Sequence, residues 1–209
     1  MSTEHPGVAL IICAPSGGGK STLIARLLKE FPGFCFSISY TTRKPRPGEE
    51  HGRDYFFVAP EEFESLVEQR FFAEWATVHG KSYGTPLQPV LDTLASGRDM
   101  LFDIDVKGAR QLQTRLPQSV SVFVLPPSRE VLEQRLEDRG SEDRQTRERR
   151  LHTAYAEIQA APEFTYLVLN QDLQAASRRL KAVYLAEKCR CFRNREMLRD
   201  VLTTWNRTT

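Results

Sequence analysis

No sign of charge dominates this chain: 29 Lys and Arg stand against 27 Asp and Glu, a formal net charge of +2 over 209 residues. A nucleic acid or an anionic membrane would therefore meet no broad attractive field. No apolar run approaches the ~20 residues of a membrane span. The run nearest the start, Val8 to Ala14, is far shorter and lacks a basic stretch before it, so neither a spanning helix nor a secretory leader is expected. Cysteine is sparse and unpatterned. Cys13, Cys35, Cys189 and Cys191 form neither a CxxC pair nor a disulfide framework, and the cytoplasm is the expected location. The Cys189-Arg-Cys191 pair reads as incidental rather than redox-active, and His5, His51, His79 and His152 show no metal-ligand spacing. Repeats and low-complexity tracts are absent as well. What remains is a globular balance, 40% hydrophobic and 27% charged, able to fill a sizeable core. At about 150 residues per domain the length fits one domain with room for an inserted lobe.

Short apolar runs alternate with helical patterns. Val8 to Cys13 is unbroken and aliphatic between Gly7 and Pro15, as suits a strand buried on both faces. From Lys20 to Phe31, Leu23, Ile24, Leu27 and Leu28 recur at helical spacing until Pro32-Gly33 stops them. Met100 to Ile104, Val120 to Leu125 and Tyr166 to Leu169 are further strands, followed by helices over Val106 to Arg115, Ser128 to Asp138 and Asp172 to about Cys191. Repeated strand–helix units imply an α/β fold with a parallel sheet flanked by helices. Two segments interrupt the alternation. Residues 35–85 read as short strands around one helix (Pro60 to Arg70), an inserted lobe. Residues 139–150, rich in arginine and poor in apolar side chains, read as a mobile, solvated segment. Met197, Leu198, Val201, Leu202 and Trp205 mark a short amphipathic helix in the tail.

Ala14-Pro15-Ser16-Gly17-Gly18-Gly19-Lys20-Ser21-Thr22 lies directly between the first strand and the first helix. Glycines let such a loop curl so that successive N–H groups face a phosphate, and the helix N-terminus adds its dipole. Lys20 would reach the β- and γ-phosphates and Ser21 would ligate Mg²⁺, although Ala14 replaces the first glycine of the usual G-x-x-x-x-G-K-[ST] pattern. Asp103, ending a buried strand, is the expected acidic partner of Mg²⁺, directly or through water. Asp105, two residues on, either joins it or caps the following helix.

Residues 41–57 carry T-T-R-x-x-R-x-x-E-x-x-G-x-x-Y-x-F, which resembles the signature of guanylate kinases. With A-P-S-G-x-G-K-S, Glu74-Trp75, Tyr83-Gly84-Thr85 and Asp103-Ile104-Asp105, the resemblance runs from about residue 7 to 190. It implies a P-loop core (7–34 and 86–190), a GMP-binding lobe (about 35–85), a lid (about 139–150) and a separate tail (191–209). It implies transfer of the ATP γ-phosphate to GMP, with dGMP an expected further acceptor, with Mg²⁺, within purine nucleotide metabolism. No nucleic-acid or membrane partner is expected, and a homo-oligomer is an open expectation. Ser39, Arg43, Arg46, Glu49, Tyr55, Glu74, Tyr83, Thr85, Asp103 and Asp105 match the GMP site. Asn170 resembles the residue near the adenine, and Arg135, Arg139 and Arg150 match lid-region arginines that join Lys20 and Arg43 in catalysis.

The residue chemistry agrees with that resemblance. Arg43 and Arg46, with Pro45 stiffening the loop, can grip a dianionic phosphate, and Tyr55 and Tyr83 can add hydroxyl donors without charge. Guanine presents N1–H and N2–H₂ donors that one carboxylate can accept, whereas adenine would set a lone pair against it. By the resemblance that carboxylate is Glu74, with Ser39 near O6 and Thr85 assisting, while Glu49 orients the arginines or the magnesium shell. A phosphate oxygen acceptor is already deprotonated, so the chemistry calls for positioning and charge neutralisation rather than a strong base. Two alternatives stay open: a related P-loop kinase with another acceptor, such as ribose 1,5-bisphosphate phosphokinase, and a non-catalytic guanylate-kinase-like binding module.

Overall fold

The computed structural model describes residues 7–78, 80–137 and 144–205, with the backbone alone for Arg144, Gln145 and Arg147. Strand β1 (Ala9–Cys13) is buried along its whole length. Because side chains alternate along a strand, Leu10 and Ile12 enter one apolar cluster with Leu23, Leu27 and Leu180, while Ile11 and Cys13 enter another with Val90, Phe102, Leu112 and Phe123. Helix α1 (Lys20–Glu30) follows the glycine loop and turns Leu23, Ile24 and Leu27 onto the first of these clusters.

The inserted lobe comprises β2 (Tyr40–Thr41), β3 (Phe56–Phe57), α2 (Pro60–Glu68), β4 (Phe72–Val78) and β5 (Lys81–Pro86), in a second sheet of order β3-β2-β5-β4. Proline at the first position starts α2 without losing a helical hydrogen bond, and Arg70, at φ 55°, ends the turn two residues past its last helical residue. The chain returns through α3 (Leu87–Ala95) to β6 (Met100–Asp103), α4 (Val106–Arg115), β7 (Val120–Leu125) and α5 (Arg129–Glu137). Then come α6 (Arg144–Gln159), β8 (Tyr166–Leu169), α7 (Leu173–Lys188) and α8 (Arg195–Trp205). The main sheet has the order β6-β1-β7-β8, every pair parallel, which is the flanked parallel sheet that the strand–helix alternation implied. Its carboxyl edge gathers the glycine loop after Cys13, Asp103 and Asn170, the edge at which open parallel sheets bind ligands.

Within residues 139–150, read as mobile and solvated, Arg144 to Arg150 form the first turns of α6, with Glu148 and Arg149 exposed. Residues 138–143, Arg139 among them, lie outside the described part. The helix is anchored by its other end: Ala154 packs with Leu132 and Leu136, and Ala160 and Ala161 sit in the main core. Helix α3 was not apparent either. Pro86 and Pro89 look like breakers, yet Pro89 lies in the first helical turn, where no N–H is required. On α8 no residue is buried, and Met197, Leu198, Val201, Leu202 and Trp205 are all exposed.

Candidate active site

The glycine loop is closed by a turn in which Gly18 N–H donates to the Pro15 carbonyl (2.8 Å). Gly19 then enters α1 at φ 89°, and a β-carbon there would lie 2.2 Å from Asn170 Nδ2, so conformation and contact both demand glycine. Asn170, 4% exposed after β8, donates from that amide to the Gly18 carbonyl at 2.8 Å. Its own carbonyl accepts from Arg135 Nη2 at 3.0 Å. Arg135 Nη1 is buried with no hydrogen-bond partner and would stand 3.9 Å from a Gly19 β-carbon. A buried, unsatisfied guanidinium nitrogen beside a ring of loop N–H groups is an invitation to an anion.

Helix N-termini sharpen the contrast. In α4 and α7 the first turn is capped by a carboxylate: Asp105 Oδ1 accepts from Gly108 N–H and Asp172 Oδ1 from Ala175 N–H, both at 2.7 Å. The N-terminus of α1 has neither a side-chain cap nor an acid in its first turn, leaving its dipole for a phosphate. Ser21 and Thr22 are exposed there. Lys20 Nζ lies 2.5 Å from Asp103 Oδ1 and donates to the Ile104 carbonyl at 3.0 Å. Asp103 is 44% exposed, so the carboxylate at the end of β6 faces the cradle rather than the core. Beneath them Cys13 Sγ donates to the Ile104 carbonyl (3.1 Å), and burial pushes its thiol up to about 12, which keeps it inert.

The lobe presents the second half. Arg43 donates two hydrogen bonds to Glu49, both 2.9 Å, and the Arg46 backbone N–H donates to Glu49 Oε2 at 2.7 Å. These contacts hold the Glu49 carboxyl below its usual range, the Arg43 bond foremost, and raise the Arg43 guanidinium further above its own. The Arg43 guanidinium also stands 5.3 Å from the Tyr55 ring centre and interacts with the Tyr83 hydroxyl. Arg46 is exposed, and its side chain makes no hydrogen bond or ion pair among the described residues. One guanidinium is thus locked in place and the other is open to a ligand.

Glu74 sits on β4 directly across from Thr85 on β5 and is only 7% exposed. The Thr85 hydroxyl donates to Glu74 Oε1 at 2.5 Å. Burial pushes the Glu74 carboxyl above its usual range, Thr85 opposes that, and nearby Asp105 adds to it. A carboxylate with a single protein donor at this depth has capacity left for a ligand's N–H groups. Ser39 stands just before β2, partly exposed, its carbonyl accepting from Phe56 N–H. Asp105 lies between the two halves, capping α4 while acting electrostatically on both Glu74 and Glu157.

Three residues at the site were not singled out from sequence. Gly108 lets α4 approach: a β-carbon there would be 2.8 Å from Glu74 Oε2. An isolated glycine inside a helical pattern was the available signal. Gln111 accepts from Trp75 N–H (3.1 Å) and donates to its carbonyl (2.8 Å), completing the edge of β4 from α4. Nothing in the sequence announced that pairing. Glu157, on α6, is half-buried near Lys20 and the Ser16 N–H, and burial and Asp105 push its carboxyl up. It fell in a stretch given no element. Arg150 is partly buried two turns earlier on α6. His51 accepts from Phe57 N–H in the lobe, whereas His5 and His79 lie outside the described residues. No helix among the described residues is long and apolar enough to cross a membrane.

A family model for guanylate kinases matches residues 7–187. The guanylate kinase of Nitratidesulfovibrio vulgaris is 51% identical over 206 residues, 99% of this chain and 100% of its own length. That of Oleidesulfovibrio alaskensis is 51% identical over 98% of this chain and 100% of its own. The crystal structure of guanylate kinase from Anaplasma phagocytophilum superposes with a TM-score of 0.69 at 30% identity, covering 96% of this chain and 97% of that one. Signature, sheet order and whole-length similarity agree: the chain belongs to the guanylate kinase family.

Proposed function

We infer that this chain transfers the γ-phosphate of ATP to GMP, releasing ADP and GDP. The observation that carries the base choice is Glu74, buried on the lobe with the Thr85 hydroxyl donating to it and α4 close behind it. Guanine offers two adjacent donors to such an acceptor, and a site built on buried hydrogen-bonding groups discriminates by roughly 10⁴–10⁵ against a ligand that leaves them unpaired. Ser39 assists at O6. Arg43, braced by Glu49, and Arg46 hold the acceptor phosphate with Tyr55 and Tyr83. On the other side, the loop from Ala14 to Thr22 cradles the ATP phosphates, Lys20 draws on the β- and γ-oxygens, and Asn170 fixes the loop near the adenine.

The donor set fits Mg²⁺: the Ser21 hydroxyl and the Asp103 carboxylate are hard oxygen ligands at the cradle, and this ion takes one or two carboxylates plus phosphates and water. When bound, it supplies charge neutralisation across the phosphate oxygens. By the family resemblance Arg135 on α5, Arg150 on α6 and Arg139, which lies outside the described residues, neutralise the charge of the phosphoryl in flight. The acceptor oxygen needs no base, and closure of lobe and lid excludes the water that would hydrolyse ATP. The reading extends to dGMP as a second acceptor, because the assigned residues meet the base and the phosphate rather than the ribose 2′-hydroxyl. It also extends to a cytoplasmic setting without nucleic acid or membrane, and to self-association, for which the apolar face of α8 offers a surface.

The test is ADP release with Mg²⁺, ATP and GMP, dGMP, AMP, CMP or UMP as acceptor. GMP and dGMP should turn over and the others should not. Equal use of AMP would remove the guanine reading, and no product from GMP would remove the activity.

A further inference from the structure

Base selection by Glu74 needs more than a buried carboxylate: its oxygens must stand at a fixed height beside the guanine edge. Strand β5 supplies part of that geometry. Thr85 bonds Glu74 Oε1, but the β4–β5 register slips between Phe72 and Glu74, a bulge that ends at the carboxylate. Bulges bend a strand and interrupt its ladder. Ala73, inside the bulge, is 2% exposed in the core cluster that also holds Val106, Ala109 and Leu112 of α4. Apolar burial of that methyl group sets a spacing but has no direction.

Helix α4 supplies the direction. Its N-cap Asp105, Gly108 and Gln111 are three apart in sequence and so follow one slanting ridge of the helix surface. At Gly108 a β-carbon would stand 2.8 Å from Glu74 Oε2 and 3.4 Å from Asp105 Oδ1, so the ridge passes directly under the carboxylate. One turn on, the Gln111 amide oxygen accepts from Trp75 N–H (3.1 Å) and its amide nitrogen donates to the Trp75 carbonyl (2.8 Å). That N–H belongs to the peptide bond joining Glu74 to Trp75. Strand β4 ends the order β3-β2-β5-β4, so among the described residues these groups meet no further strand. A glutamine amide, donor and acceptor in one plane, does there what a neighbouring strand would do. Both bonds lie at an exposed edge, where water could satisfy the same groups. Their contribution is position rather than stability.

We propose that Gln111 is a positioning residue for base discrimination: by gripping the peptide that follows Glu74 it fixes the height of the carboxylate against the guanine edge. The inference rests on the reading of Glu74 given above and deepens it. A residue that acts through Glu74 should lose its influence on base choice once that carboxylate is gone.

The experiment is a kinetic cycle with GMP or AMP varied at saturating ATP, using Gln111→Met, Glu74→Gln and the double variant. Methionine keeps the length of the side chain and loses both bonds. Gln111→Met should raise KM for GMP about five-fold with kcat within about two-fold, and lower the preference for GMP over AMP by about five- to ten-fold. KM for ATP and the melting midpoint should hold, which a general loosening of the fold would not allow. In the Glu74→Gln background the same change should alter the preference by less than about two-fold. If Gln111→Met lacks a melting transition, Gln111→Ala takes its place in the cycle. An unaltered preference in Gln111→Met, with that of Glu74→Gln collapsed, would overturn the role of Gln111 alone, as would lesions that multiply in the double variant. A preference that survives Glu74→Gln would overturn the reading of Glu74 and this proposal with it.

Discussion

The two sheets of this molecule are held together by different physics. In the core, β1 and β7 are buried nearly end to end, and aliphatic side chains fill both faces in two clusters. In the lobe, β2 and β3 are two residues each, and cohesion comes from rings: Tyr40 stacks on Phe56 and Phe63 on Phe72, each at 4.7 Å, with Phe71 edge-on to Tyr40. At the junction of core and lobe α4 packs on β4, and the Gln111 amide bonds the Trp75 backbone on both sides. A close-packed core deforms little, so the phosphate cradle is preformed. The thinner lobe can move as a body and bring the acceptor to it.

That contrast can be broken on purpose. The largest effect should come from Lys20→Met, which removes the cation at the cradle: kcat should fall by about 10³-fold or more while the melting midpoint stays. A near-normal kcat would show that the core does not supply the neutralising charge. Next is Glu49→Gln, a change confined to the lobe. It weakens the brace on Arg43, and KM for GMP should rise about ten-fold with KM for ATP unchanged. A shift in the ATP constant instead would mean that the two regions are not separable.

The pH dependence gives a smaller signature of the same division. The Glu74 carboxyl is raised by burial, so its contribution to stability is full below the unfolded-state value and is lost as pH rises through the folded-state value. GMP binding wants the opposite form, the ionised carboxylate. As pH falls through that raised value, kcat/KM for GMP should drop in excess of the same profile for Glu74→Gln. Identical acid limbs in the two proteins would exclude Glu74 from the titration. Glu49 is lowered by Arg43; its contribution is present above the unfolded-state value and is lost only as pH falls through the lowered one. The two carboxylates therefore separate on the pH axis. The smallest change is expected for Gln111→Ala, which loosens the junction: a few-fold rise in KM for GMP with little loss of kcat, checked by initial rates. No change would mean that α4 packing alone holds β4.

The parts legible in the sequence are the ones whose physics is local. An unbroken aliphatic run, a glycine loop and a periodic helix over residues 8–31 describe β1, the cradle and α1, because each is decided by neighbours in sequence. Glu74 was conspicuous as a charge among aromatic and apolar residues. For Asp105 the sequence allows either a helix cap or a ligand, and the bond from Gly108 shows that it caps α4. What escaped depended on distant partners. Helix α6 escaped because its first turns are charged and its anchor lies ten residues on, in Ala160 and Ala161. Gly108, Gln111 and Glu157 acquire meaning only once α4 crosses β4 and α6 reaches the loop, contacts between residues 34 to 141 positions apart that no local pattern encodes.

The most direct test compares kcat/KM for GMP and for AMP in the unaltered chain and in Glu74→Gln, with KM for ATP measured in both. The account predicts a preference for GMP of about 10⁴-fold that collapses by at least about 100-fold on the substitution, while KM for ATP stays within about two-fold. A GMP preference that survived the loss of the carboxylate would contradict it.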